Sequence, residues 1–274
     1  ITNPNQTLND FGCPVATRTV FSLQSAPYDD VRFRKAFTFM RDGNAVNAAL
    51  RGDTHVPPPA GLSGLGGTAG PGVTGYVEGL YDEFFQYNPE LAKQLLDEMG
   101  IVDSDGDGWR EFEGETLVVP SHVWSGYPFE DYTAAVVQAG KEVGLKIEPN
   151  VVDSGTYFAI RGEKPGVYFG QGWCGEGGLE AVWGEGGWFE PMGSGDQNTW
   201  DWVAQSGSAT AAGRKELLQN VTRYVAEKYW APSWGFFQIF TAHNNYVKNF
   251  DGGEWMLNLN TVNQKVWIAD EERW

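Results

Sequence analysis

The sequence predicts an α/β fold with a mostly parallel sheet flanked by helices. Two observations carry this. Strand and helix patterns alternate β-α-β-α-β from Thr116 to Gln171, and the helical segments carry cap residues at their ends and one apolar face each. Alternation of that kind closes most simply as a parallel sheet with right-handed crossovers, its helices packed on the faces.

Taken in order, residues 1–19 are polar and turn-rich, and Thr19 to Gln24 alternates as a strand. Asp29 or Asp30 can cap a helix whose apolar positions are Val31, Ala36, Phe37 and Met40. Asp42 can cap a continuation through Val46, Ala49 and Leu50, ended by Gly52. Residues 53–75 are rich in Pro and Gly and read as a long loop. Asn88 and Pro89 open a helix with Leu91, Leu95 and Met99 on one face, closed by Gly100. An acidic turn, Asp103 to Glu111, leads into a short strand pair. Then come a strand over 116–124, a helix over 129–143 closed by Gly144, a strand over 145–152, a short helix over 154–161 and a strand over 167–171. Residues 172–196 read as a Gly- and Trp-rich loop region. A helix over 214–230 buries Leu217, Leu218, Val221, Val225 and Tyr229, and 236–240 reads as a strand before a tail of short strands and turns.

Composition narrows the function. The 274 residues carry 36 acidic against 19 basic side chains, a formal net charge of −17. Nucleic acid and anionic membrane surfaces both need a basic footprint, which this chain lacks. Two cysteines, Cys13 and Cys174, are too few for a disulfide scaffold and stand either bridged or free. There is no apolar run of transmembrane length. The 12 Trp, 11 Tyr and 16 Phe, set beside 36 Gly, suggest flat rings on loops that approach a ligand closely, as sugar and peptide recognition requires.

Two segments resemble a known family. Asp30-Val31-Arg32-Phe33-Arg34-Lys35-Ala36, followed by Asp42 with Ala45-Val46, matches an Asp-Val-Arg-x-Arg-x-Ala helix and its Asp-capped continuation, although Gly43 stands where Arg is usual. Tyr87, Pro89, Ala92, Leu95 and Leu96 match a Tyr-x-Pro-x-x-Ala-x-x-Leu-Leu helix, and Asp103 to Gly108 match the acidic turn after it. In this order they resemble the second half of the dipeptide- and oligopeptide-binding type of extracellular solute-binding proteins that serve ABC importers. The resemblance implies a periplasmic-binding-protein-like lobe over 1–232, with 233–274 returning toward a first lobe that the chain is expected to lack. It further implies an extracytoplasmic, monomeric, non-enzymatic carrier that requires no cofactor. Such a carrier would bind a peptide, an oligosaccharide or a similar solute such as a nickel chelate, and hand it to a membrane permease. Weak or undetectable binding by the chain taken alone, with normal binding by an intact precursor, is the matching expectation.

In an open α/β sheet the site belongs at the carboxyl ends of the parallel strands. This points to the segment after 167–171, with Trp173, Glu176, Glu180, Trp183, Trp188 and Phe189 as candidate ligand-binding residues. In peptide-binding relatives a carboxylate shortly after a Gly-Trp pair meets the ligand's amine, which places Glu176 in that role; the bland alternative is a solvated loop carboxylate. Trp173 and Trp183 are either ligand platforms or core. Asp103, Asp105 and Asp107 have the opening spacing of a calcium loop, with Glu111 at the ninth place and Gly114 where a twelfth-position Glu would complete an EF-hand. They read as a structural calcium site or as a turn and nothing more. The alternative function is a Trp-rich glycoside hydrolase using Glu185/Glu190 or Glu176/Glu180, or a surface carbohydrate-binding module. His55, His122 and His243 show no metal-ligand spacing.

Overall fold

The computed structural model describes residues 6–10, 15–52, 55–56, 74–126, 129–171, 177–237, 240–248 and 267–268. In chain order the elements are β1 (Gln6–Asp10), β2 (Val15–Phe21), α1 (Val31–Phe39), α2 (Gly43–Arg51), β3 (His55–Val56), α3 (Leu80–Phe84) and α4 (Pro89–Glu98). There follow β4 (Glu111–Phe112), β5 (Glu115–Thr116), β6 (Val118–Trp124), α5 (Phe129–Val143), β7 (Lys146–Val152), α6 (Ser154–Ile160), β8 (Val167–Gln171) and α7 (Gly177–Trp183). The last group is α8 (Gln197–Ser206), α9 (Ala211–Glu227), β9 (Ser233–Phe237), β10 (Phe240–Asn244), β11 (Val247–Lys248) and β12 (Trp267–Ile268).

The main sheet has six strands in the order β3-β9-β2-β8-β6-β7. β6 runs parallel to both β7 and β8, and β2 runs antiparallel to both β8 and β9. With β3 antiparallel to β9, four of the six strands share one direction, and β2 and β3 oppose it. The parallel part is the predicted β-α-β-α-β unit. Its crossovers step from β6 outward to β7 and then back past β6 to β8, so right-handed connections place α5 and α6 on opposite faces. Side chains agree. Ile147 of β7 packs at Gly140 of α5, whereas Asn150, three residues on, faces His122 on the α6 side. The point where the strand order reverses lies between β6 and β8, where an open sheet leaves a crevice beyond its carboxyl ends.

The expected caps form. The Asp30 carboxylate accepts from Arg32 N at 2.7 Å, Asp42 from Ala45 N at 2.8 Å, and Asn88 from Leu91 N at 3.0 Å. Gly100 and Gly144 take positive φ, at 74° and 81°, just past α4 and α5. In α1 the buried stripe is Phe33, Ala36, Phe37 and Met40; Val31 instead points to solvent. The buried face of α1 packs against α4. Residues 172–196 differ from a plain loop, because they contain α7 and a short 3₁₀ turn at Glu190–Met192. α8, unread in the sequence, starts from a capping box in which Asp196 accepts from Thr199 N and the Thr199 hydroxyl accepts from Asp196 N. The segment expected to leave the lobe after 232 begins by adding β9 to its sheet, and β10 then pairs with β1.

Among the described residues no helix is long and apolar enough to cross a membrane.

Candidate functional site

On the α6 face of the sheet, three elements bring aromatic rings together, starting from the carboxyl end of β6 and running along α6. β6 ends in Trp124, α6 carries Tyr157 and Phe158, and the segment after α7 carries Trp188 and Phe189. Trp124 lies over Tyr157 with centroids 6.2 Å apart, and Phe158 meets it edge-on at 5.4 Å. Phe158 in turn meets Trp188 at 6.0 Å and 90°. Phe158 is 39% exposed and Trp188 41%, two large apolar faces that meet at the surface. The Arg161 guanidinium, one residue past α6, lies over both rings, 5.4 Å from the Phe158 centroid and 5.7 Å from that of Trp188.

Backbone contacts hold the two sides of this wall together. Gly162 has φ +86°, and a Cβ there would collide with the carbonyl of Pro191. The Pro191 carbonyl also accepts from Gln24 Nε2 at 2.8 Å, and Leu23 N donates to the Met192 carbonyl at 2.7 Å. Behind the wall, Arg18 of β2 is buried level with Gly170 of β8, its guanidinium 4.4 Å from the Phe189 ring. Burial pushes its pKa down to about 9, and the neighbouring Arg161 charge adds to that.

Beneath the rings, His122 of β6 packs against Tyr168 at 4.5 Å. One ring nitrogen, Nε2, lies 3.0 Å from the Pro165 carbonyl and the other, Nδ1, 2.9 Å from Asn150 Nδ2. A neutral imidazole that donates from Nε2 and accepts at Nδ1 satisfies both contacts. Burial holds the His122 pKa below its ordinary value, and Lys164 acts in the same direction against the opposing Pro165 hydrogen bond. The unfolded chain therefore takes up this proton before the folded one does. The contribution is fully present above about pH 6.5 and is lost as pH falls toward the folded value. His122→Gln is expected to flatten the decline of urea-unfolding stability between pH 7.5 and 5, by at most about 1.4 kcal/mol per pH unit, the limit for one proton. An identical slope in the variant would remove His122 from the acid response.

The sequence-predicted residues fall in different places. Trp188 is in the wall. Phe189 is buried behind it, under Arg18. Trp183 is 1% exposed, stacked on Trp230 at 5.9 Å and packed on Phe189 at 5.4 Å, so its ring lies in the core. Glu180 pairs with Arg214 at 2.6 Å, and the Glu190 carboxylate accepts from Gly186 N within its own turn. Trp173, Glu176, Cys13 and Cys174 lie outside the described residues. Trp124, Phe158 and Arg161 went unread. The available signal was the adjacent aromatic pair Tyr157-Phe158 at the end of a β-α-β crossover, on a helix only seven residues long.

Asp103, Asp105, Asp107 and Glu111 each offer a carboxylate oxygen, all within 4.8 Å of one another, as a hard cation such as calcium would use. The same carboxylates organise the turn. Asp103 accepts from Gly106 N and Gly108 N, Asp105 from Asp107 N, Asp107 from Trp109 N, and Glu111 from Ser104 N and Oγ. The turn is tied through Arg110 to the Val143 carbonyl at the end of α5, hence to the amino ends of the strands and away from the aromatic wall.

Residues 3–179 match the bacterial extracellular solute-binding proteins, family 5, middle region. No curated protein sequence matches the chain. Among solved structures, the oligopeptide-binding protein AppA from Bacillus subtilis, in complex with a nonapeptide, is 14% identical with a TM-score of 0.73, covering 97% of this chain and 53% of that one. The periplasmic binding protein MelB from Agrobacterium fabrum, with stachyose, is 16% identical with a TM-score of 0.78, covering 98% and 45%. NikA from Brucella suis, with Fe(III)-EDTA, is 15% identical with a TM-score of 0.70, covering 87% and 47%. The chain thus spans about half the length of these proteins, whose likeness at such identity is one of fold. The sequence match covers well over half of the residues, and the chain belongs to the family 5 bacterial extracellular solute-binding proteins.

Proposed function

We propose that this chain forms a ligand-facing lobe of the substrate-binding component of an ABC importer. It would work outside the cytoplasm as a monomer and deliver a peptide, an oligosaccharide or a similar small solute to a membrane permease without changing it chemically. The observation that carries this reading is the wall of Trp124, Phe158 and Trp188, partly exposed, that begins at the carboxyl end of β6 and runs along α6. Flat, partly exposed rings suit recognition of sugar faces and apolar side chains. Of the acidic pairs that a hydrolase would use, Glu180 is paired with Arg214 and Glu190 accepts from Gly186 N.

Titration of oligosaccharides and oligopeptides against the chain, followed by tryptophan fluorescence and calorimetry, is expected to give weak, saturable binding with the solute recovered intact. Trp188→Ala should weaken that binding roughly tenfold or more, as loss of a buried aromatic contact does. The thermal midpoint should move little, because the ring is 41% exposed. Release of a cleaved product would overturn the carrier reading in favour of an enzyme.

A further inference from the structure

The charges of this chain are sorted by depth. Arg18, Arg34 and Arg41 are buried, between 1% and 4% exposed, whereas among the described residues no Asp or Glu is buried. Arg34 donates to three backbone carbonyls and Arg41 to the Thr19 hydroxyl, neutral acceptors that leave the positive charge inside. Folding therefore withdraws three cations from the surface and leaves the acids on it. With a formal net charge of −17 overall, the shell is more negative than composition alone implies.

The cations that stay outside offset little of this. Arg32–Asp30, Lys93–Glu90 and Lys146–Glu148 are solvent-exposed pairs between residues two or three positions apart. Pairs of that kind contribute little to the folded state. Nor is the negative charge a docking patch for one basic macromolecule. Glu115 of β5, Glu142 of α5, Glu163 after α6 and Glu216 of α9 are all exposed and lie in separate parts of the fold. A field spread over so many sides is met by small mobile cations.

The range of the repulsion decides its effect. A compact chain of this length has a radius of gyration of about 19 Å, and charges are screened over about 30 Å at 0.01 M salt but about 3 Å at 1 M. In dilute salt each acid acts on nearly all the others; in concentrated salt it acts only on those beside it. The unfolded chain spreads the same charge over a larger volume, so the cost falls on the folded state.

We propose that this lobe is built to fold in a concentrated electrolyte, with dissolved monovalent cations supplying the counter-charge that its own basic side chains leave out. Ionic strength is then a condition of the fold itself, whichever solute the lobe binds.

The test is the thermal midpoint, followed by circular dichroism in 0.01, 0.1 and 1 M NaCl or KCl, for wild type and for the double variant Glu115→Lys with Glu216→Lys. Wild type is expected to gain roughly 10 °C or more between the lowest and highest concentrations, alike in both salts. Repulsion grows with the square of the net charge, so the two reversals should remove roughly two-fifths of that gain. They should do so by raising the midpoint in dilute salt. Salting-out, by contrast, acts on both proteins equally. A wild-type chain that is unfolded at 0.01 M and folds when either salt is added also meets the expectation. A wild-type midpoint that stays level or falls with salt would overturn the proposal, as would a double variant whose gain equals that of wild type.

Discussion

Arg34→Met is expected to be among the most damaging single changes in the chain, costing roughly 3–5 kcal/mol of unfolding free energy. Arg34 is 3% exposed on α1, and its guanidinium ties together three backbone segments. Nη1 donates to the Tyr28 and Asp29 carbonyls, both at 2.8 Å, and Nε donates to the Lys228 carbonyl beyond α9, also at 2.8 Å. Methionine fills much of the volume and removes every donor, so the carbonyls lose their partners inside the protein. The control lies two residues away in the same motif. Arg32 pairs with Asp30 in solvent, and Arg32→Met should leave the urea midpoint nearly where it was. Equal midpoints for the two variants would contradict this account.

Trp183→Ala comes next, at about 3–5 kcal/mol, the usual range for emptying a large buried aromatic site. The ring sits between Trp230 and Phe189 with almost no exposed surface. Its Nε1 is buried without a hydrogen-bond partner among the described residues. Trp183→Phe therefore removes an unpaired donor together with some packing, and should cost much less than the alanine change. Urea unfolding of the two variants checks the contrast. Equal and small losses would mean that the ring serves as a platform and not as core.

How far the sequence revealed this molecule depended on whether a signal was local. Helix starts are local: Asp30, Asp42 and Asn88 each cap the helix they precede, and the bounds of α5 and β8 follow from periodicity alone. The insertion of β2 between β8 and β9 is not local, because its partners lie about 150 and 220 residues downstream and nothing near Val15 announces them. α7 was hidden by Gly177 and Gly178, poor helix formers that open it. The site divided along the same line. Composition identified Trp183, Trp188 and Phe189 as large rings near a crevice, but which of them faces water is a tertiary property. Trp124 comes from β6 and Phe158 from α6, and they meet only once α6 has crossed the sheet.

The Gly162–Pro191 contact bears on how the wall would operate. One side of the wall hangs from α6 and the other from the 186–192 segment, and at this point they meet backbone against backbone with no space for a side chain between. Such a joint leaves the two halves little freedom to separate or slide. An arriving solute would then find Phe158 and Trp188 already spaced, and little conformational entropy would be spent on ordering them. Discrimination between solutes would accordingly be expressed in how long each one stays, more than in how quickly it arrives.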